Sequence, residues 1–289
     1  MINMRSLSSI HLDAFFAVAQ TRNFSKAAEK LHITQSALSQ RVLNLEGELE
    51  ATLFIRDRAG VQVTELGHEL LPYSQTKGAQ ESEFLSSLQS KDTAELVGEV
   101  RIGGFSSVMR SVILPAIAPL LKANPRIRLN LLTREMRELP ELLRRGEINF
   151  MVLDHQLERD DLETIKLGVE RNVLVRSLRS SSADVFLDHD EEDPVTLRYL
   201  KLAGKKAAKI ERRYLGDVYS LLDGVRQGIG QAVLPRHLIN GVSGISVISP
   251  STGLEIPVVL HYYSQPYYSR LQQQILESLR ESCPKLLLQ

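Results

Sequence analysis

Ser36, Ser39, Gln40 and Asn44 place hydrogen-bonding side chains at short intervals along a few turns of chain. A glutamine offers the donor and acceptor pair that matches the edge of adenine, and a serine hydroxyl serves in either role. Arg56 and Arg58 follow, with the charge and reach to meet phosphates. Ser106 and Ser107 stand where a strand gives way to a helix. Hydroxyls there, aided by the helix dipole, hold an anionic group such as a carboxylate, and serine at such a point also serves as a plain cap. Thr133, Arg134, Asp154 and His155 close the next two strands. Asp188 and His189 open the acidic run Asp188-His-Asp-Glu-Glu-Asp193. Such runs are commonly solvated loops. Its place after a strand leaves a second use open, in which Asp154, Asp188 and His189 favour a cationic ligand group. The His/Asp set has no spacing that suits a particular metal ion. GGFSS lacks the Lys-Ser/Thr ending of a phosphate loop, and no nucleophile–base pair stands out.

These side chains need elements to carry them. Leu12, Phe15, Phe16 and Ala19 recur at helical spacing and predict a first helix. Ser25 is placed to cap a short second one, Lys26 to Leu31. A tight turn through His32 and Ile33 then leads to Thr34, the cap of a third helix reaching about Leu49. Leu38, Val42, Leu45 and Leu49 share one arc of it, so Ser36, Ser39, Gln40 and Asn44 point the other way. Two short helices, a turn and a third helix describe a helix-turn-helix. Small side chains near the start of that helix let the backbone sit deep in a major groove. The same arc also suits the solvated face of a generic three-helix module, and periodicity leaves both open. Leu53 to Thr64 predict a hairpin with Gly60 near its tip. Leu43 falls on the outward arc, where a thymine methyl or a partner would account for it.

Residues 67–95 read as one long polar helix with a weak apolar stripe of Leu66, Leu70, Tyr73, Phe84 and Leu88, interrupted by Lys77 and Gln80. From Glu99 onward, β-branched runs alternate with helical patterns, the mark of parallel α/β units. Strands at Val100–Gly104, Ile127–Thr133 and Asn149–Leu153 make a β-α-β-α-β unit, whose ligands sit at the carboxyl ends of the strands. Strands near 169–176, 185–187 and 256–263 and helices at 217–226 and 266–282 complete the pattern. Lys205, Lys206, Arg212 and Arg213 read as surface charge, and His237 as packing beside Pro235.

Length and charge narrow the classes. The chain has 289 residues, enough for two or three modules, with 43% apolar and 24% charged residues, which is globular usage. Lys plus Arg and Asp plus Glu are 35 each, so net charge points to neither nucleic acid nor membrane. Residues 1–66 repeat the balance, with seven of each sign. The lone cysteine, Cys283, fits a reducing compartment. No run of ~18 uninterrupted apolar residues occurs. His11 and Asp13 break the apolar start, so no signal peptide is predicted, and a cytoplasmic protein is the simple expectation.

One resemblance sharpens this. FFAVAQTRNFSKAAEKLHITQSALSQRVLNLEGELEATLFIRDRAGVQVTELG, residues 15–67, resembles the winged helix-turn-helix of LysR-type transcriptional regulators. The likeness rests on the AA of the second helix, ITQSALSQRVLNLE in the third, LFIR in the wing and the T-x-x-G after it. It is greatest to the branch with Q-S-A-V-S-Q-R there, which includes arginine- and lysine-responsive members. The resemblance implies DNA contact through Thr34, Gln35, Ser36, Ser39 and Gln40, with Arg41, Arg56 and Arg58 nearby; Arg41 also borders the buried arc, where it would support the fold. It implies that the linker helix pairs with a second subunit, giving a homodimer or homotetramer on double-stranded DNA with dyad symmetry. Gly228-Ile-Gly-Gln-Ala-Val-Leu-Pro235 resembles the effector-domain signature G-x-G-x-A-x-x-P, which adds Gly228 and Ile229 to the effector candidates.

The expected architecture is an α/β multidomain chain. It has an N-terminal winged helix-turn-helix (1–66), a linker helix (67–95) and a two-lobed periplasmic-binding-protein-like effector domain (96–289). Lobe I is placed at about 96–170 plus 264–289 and lobe II at 171–263. The expected function is DNA binding modulated by a small molecule in the inter-lobe cleft, with no catalysis, cofactor or metal. A cytoplasmic solute-binding protein, an enzyme using the same cleft and an effector-independent DNA-binding protein are the rivals. The attached helix-turn-helix opposes the first two.

Overall fold

Helix α1 (Ser9–Thr21) buries Leu12, Phe15 and Ala19 along one side, and the computed structural model containing it describes residues 7–57, 60–89, 95–179, 185–204, 210–249 and 251–289. Helix α2 (Phe24–Lys30) is capped by Asn23, whose carboxamide oxygen accepts from the backbone N–H groups of Ser25 and Lys26 at 2.9 and 3.0 Å. Ser25, the expected cap, is already inside the helix, because the asparagine side chain reaches the first-turn donors from two residues earlier. His32, at a φ of 54°, makes the tight turn into α3 (Gln35–Leu49). Thr34 caps α3 by accepting from Ala37 N at 3.2 Å. Leu38, Val42 and Leu45 pack with Phe15, Val18 and Ala27 in one core.

Strands β1 (Phe54–Asp57) and β2 (Gly60–Val63) form the antiparallel wing. Glu46 of α3 holds its base, accepting from Leu53 N at 2.7 Å. Helix α4 (Glu65–Gln89) then runs away from the wing, with Leu71 in the N-terminal core. Gln75 donates to Gly146 O at 3.0 Å, and His68 Nδ1 lies 3.3 Å from Arg144 O, so α4 rests on the domain that follows.

That domain begins with β3 (Gly98–Gly104), followed by α5 (Ser106–Val108), a π-helical turn at Met109–Ile113 and α6 (Leu114–Ala123). Ser106–Ala123 is apolar enough by composition to cross a membrane. Here Val112, Ile113 and Ile117 are fully buried in a core shared with the last helix. Next come β4 (Ile127–Thr133), α7 (Leu139–Arg144), β5 (Phe150–Leu153) and the long β6 (Leu162–Ser177). The chain continues through β7 (Val185–Asp188), α8 (Val195–Leu202), β8 (Glu211–Tyr214), α9 (Val218–Gln227), β9 (Ala232–Pro235), α10 (Arg236–Ile239) and β10 (Ile245–Ile248). It returns through β11 (Leu254–Tyr263) and ends in α11 (Arg270–Leu287).

One sheet runs β10-β6-β11-β5-β3-β4, with β9 also pairing β6. Strands β6 and β11 are antiparallel from Leu254↔Asn172 to Tyr263↔Leu162 and connect two lobes with separate apolar cores. Their register shifts between Val258 and Val259, opposite Gly168 at φ 152°. A Cβ at Gly168 would lie 2.7 Å from Leu287, so both the backbone angle and α11 require glycine there. β6 is longer than expected from its apolar stretch, because most residues before 169 are exposed or half-buried, Leu167 being buried, while they pair with β11. Helix α11 starts later than expected because Ser269 and Gln272 form a reciprocal capping box. Cys283 is fully buried, and burial pushes its thiol up to about 12, which leaves it unreactive.

Candidate DNA-reading face and effector cleft

Gln35, Ser36, Gln40 and Asn44 are exposed on α3, while Ser39 is half-buried beside them. Both glutamines are held. Ser25 donates its hydroxyl to Gln35 Oε1 at 3.1 Å, and Gln40 Nε2 donates to Asn44 Oδ1 at 2.9 Å. Asn44 Nδ2 in turn sits 3.5 Å from His11 Nε2, whose Nδ1 is 2.6 Å from Glu48. Gln40 thus keeps its carbonyl oxygen and one N–H for an incoming base edge, on a side chain already oriented from behind. The Thr34 and Ser36 hydroxyls lie 3.0 Å apart at the helix start. Arg41 is half-buried at the border of the exposed arc. Arg56 is exposed on the wing, its guanidinium stacked 3.7 Å from the centre of the Phe24 ring. Arg58 lies outside the described residues.

Between the lobes is a cavity of about 450 Å³. Of the ten expected effector residues, Ser106, Ser107, Thr133, Arg134, Asp154 and His189 line it. His155, Asp188, Gly228 and Ile229 do not. His155 points outward, with Nδ1 on Asp154 at 2.6 Å. Asp188 is 2% exposed and serves the fold, accepting from Thr196 and from Arg212. Arg212 is therefore an internal ion-pair partner rather than free surface charge. Gly228 ends α9 at φ 76°. Because Asp217, the N-cap of α9, and Val218 and Leu221 in its first turn line the cavity, Gly228 and Ile229 fall at the helix's far end. The rest of the acidic run is a structured turn, since Asp193 accepts from Val195 N at 2.9 Å and from His189 N at 3.2 Å.

Sequence reasoning missed the floor. Glu170 and Asn172 of β6 line the cavity although both are buried, and Asp217, Pro235 and Ile256 join them. The available signal was a pair of polar residues two apart in an apolar strand, which alternation places on one face. Glu170 accepts from Ser107 at 3.2 Å, from Asn172 at 3.2 Å and pairs with His237 Nε2 at 2.9 Å. Ser111 lies 2.7 Å from His237 Nδ1 and gives its own hydrogen to Ser107 O at 2.6 Å. Ser111, His237 and Glu170 stand in the order of a hydrolytic triad, but Ser111 does not line the cavity and its hydrogen is directed at a backbone carbonyl. Seven carboxylates (Glu135, Asp154, Glu170, Asp190, Glu192, Asp193 and Asp217) outnumber the two lining guanidinium groups, Arg134 and Arg198. The lobes meet where Tyr219 OH donates to Ser106 O at 3.1 Å and Arg110 stacks 4.3 Å over the Tyr219 ring.

Residues 10–68 match the bacterial regulatory helix-turn-helix protein, lysR family, and residues 93–284 match the LysR substrate binding domain. The chain belongs to the LysR family. Among curated relatives it is similar to the HTH-type transcriptional regulator HdfR of Yersinia enterocolitica, 31% identical over 161 residues, which are 54% of this chain and 53% of that protein. The match thus spans about half the length of that relative. It is also similar to the HTH-type transcriptional regulator ShiR of Corynebacterium glutamicum, 29% identical over 86% of this chain and 88% of that one. In structure it resembles full-length LysG of Corynebacterium glutamicum with bound effector Arg, at a TM-score of 0.72 and 16% identity over 98% of each chain. This LysR-family chain therefore joins a winged helix-turn-helix to a two-lobed substrate-binding domain.

Proposed function

We propose that this LysR-type regulator binds a dyad-symmetric double-stranded DNA site as a cytoplasmic homodimer or homotetramer, and that a small molecule in the inter-lobe cleft modulates the binding. Residues 1–66 carry the DNA contacts, 67–95 the subunit pairing and 96–289 the sensing. The observation that carries the reading is the exposed, pre-oriented polar arc of α3 in the same chain as a lined cleft. One recognition helix covers few base pairs, and two half-sites about 34–36 Å apart supply the missing specificity. An effector that prefers one lobe arrangement shifts the population of protein states and with it the placement of paired DNA-binding modules.

The excess of carboxylates in the cleft favours an effector with a cationic group, and Ser106, Thr133 and Arg134 supply donors for a carboxylate at its other end. LysG, of like fold, holds arginine, a molecule of that charge pattern. A catalytic use of the cleft finds less support, because the serine nearest a histidine is directed elsewhere.

Two measurements test the reading. A nuclease footprint on DNA enriched from a random pool should show a two-fold symmetric protected site whose affinity falls steeply with salt. Thermal unfolding with arginine, lysine, glutamate and succinate should show stabilisation by the cationic amino acids only. Protection without sequence preference would remove the regulator reading, and stabilisation by the dicarboxylates alone would reverse the effector class.

A further inference from the structure

An exposed leucine is ordinary on a protein surface. Leu43 is set apart by its place. It is 57% exposed in the middle of α3. At about 100° per residue it points roughly 140° away from Leu38, on the arc of Ser36, Ser39 and Gln40. One turn further on, the same arc carries Gly47, inside the helix and exposed. A Cβ at Gly47 would meet nothing within 4 Å, so no contact inside the protein calls for glycine there. Glycine in a helix interior is unfavourable against alanine. Two neighbouring positions thus break local rules, one with an uncovered apolar side chain and one with a missing side chain. Among the described residues, Leu43 belongs to no apolar cluster and a Cβ at Gly47 meets nothing, and such departures from local rules concentrate at functional sites.

We propose that Leu43 is a specificity-determining residue that takes the 5-methyl group of a thymine in the major groove, with Gly47 leaving room for the duplex to approach. The proposal rests on α3 being the DNA-contacting helix. Gln40 then reads a base edge by hydrogen bonds, while Leu43, less than one turn later, reads the neighbouring step by an apolar contact. Thymine is the base that offers such a contact in that groove. Substitution at Leu43 leaves the core of Leu38, Val42 and Leu45 intact, because Leu43 is not part of it.

The test uses the full-length protein and a duplex enriched from a random pool. Each thymine is replaced singly by deoxyuridine, which removes only the methyl group, and dissociation constants are measured for wild type, Leu43→Ala and Gln40→Ala. At one thymine in each half-site, deoxyuridine should weaken wild-type binding about fourfold. It should leave Leu43→Ala unaffected there and weaken Gln40→Ala as it does wild type. Leu43→Ala should lose the same factor on the thymine duplex while keeping its melting temperature. If Leu43→Ala binds every duplex as wild type does, or responds to deoxyuridine as wild type does, the proposal is overturned while sequence-specific binding stands. If the pool yields no enriched sequence, the DNA-reading role of α3 fails and Leu43 falls with it.

Discussion

Glu170 and His237 meet at 2.9 Å beneath the effector cleft, with the histidine side chain 1% and the glutamate side chain 6% exposed. The contact joins crossing strand β6 to α10 of the second lobe, and Ser107 and Ser111 tie the same network to the first. The carboxyl that lines the cleft is thus bonded directly to both lobes.

Removing one partner of this buried pair leaves the other without its match. His237→Leu should lower unfolding free energy by about 3 kcal/mol, whereas Glu170→Gln, which keeps shape and hydrogen-bonding capacity, should lose less, about 1 kcal/mol. Urea unfolding checks this, and equal, negligible losses in both would show that the network contributes nothing to the fold.

Glu141 of α7 joins the DNA-binding module to the first lobe, accepting from Arg22 at 3.4 Å and from Arg144 at 2.7 Å, and pairing with Arg145. Chiefly through the Arg144 hydrogen bonds, its carboxyl is held at about 2 against an ordinary 4.5. A carboxyl lowered on folding gives stability that is complete above its unfolded value and is lost as pH falls through the folded one. Glu141→Gln should therefore be less stable than wild type at neutral pH, with the gap closing as pH drops from 4.5 toward 2. Denaturant curves at stepped pH measure the gap, and parallel curves would contradict the linkage.

Glu50 ends α3 in the left-handed region at φ 53°. Glycine adopts that conformation without the Cβ clash, so Glu50→Gly should raise stability by about 1 kcal/mol. Gly47→Ala should raise it by a similar amount through helix propensity. Thermal unfolding of the free protein reads both, and a lowered melting temperature in either would mean that an unrecognised contact is present.

Tyr219 bridges the lobes through Ser106 O. Tyr219→Phe removes only that hydroxyl, and a single net hydrogen bond corresponds to about a fivefold change in equilibrium. Arginine binding by calorimetry should weaken by about that factor with the fold intact. Unaltered affinity would place the lobe contact outside the binding equilibrium.

Much of this was legible in the residue pattern, and what was not has identifiable causes. The helix-turn-helix showed because Leu38, Val42 and Leu45 repeat at helical spacing behind Thr34, whose cap is observed. The α/β units showed because their strands are apolar and end at Gly104 and Thr133. The cleft floor was hidden because Glu170 and Asn172 sit on a strand whose pairing partner, β11, lies far along the chain. Asp188 looked like a site residue because sequence shows a carboxylate at a strand end but not that Arg212, from a parallel strand, will close over it. Spacing alone does not separate Ser25 from Asn23, two positions before it, as the cap of α2.

Gln40, held by Asn44, is the best-oriented member of the polar arc of α3 proposed to read bases. The most direct measurement compares wild type and Gln40→Ala on the enriched duplex and on an unrelated one of equal length. The account expects a loss of ~1–3 kcal/mol on the enriched duplex and unchanged affinity on the other. Equal losses on both duplexes, or no loss on either, would contradict it.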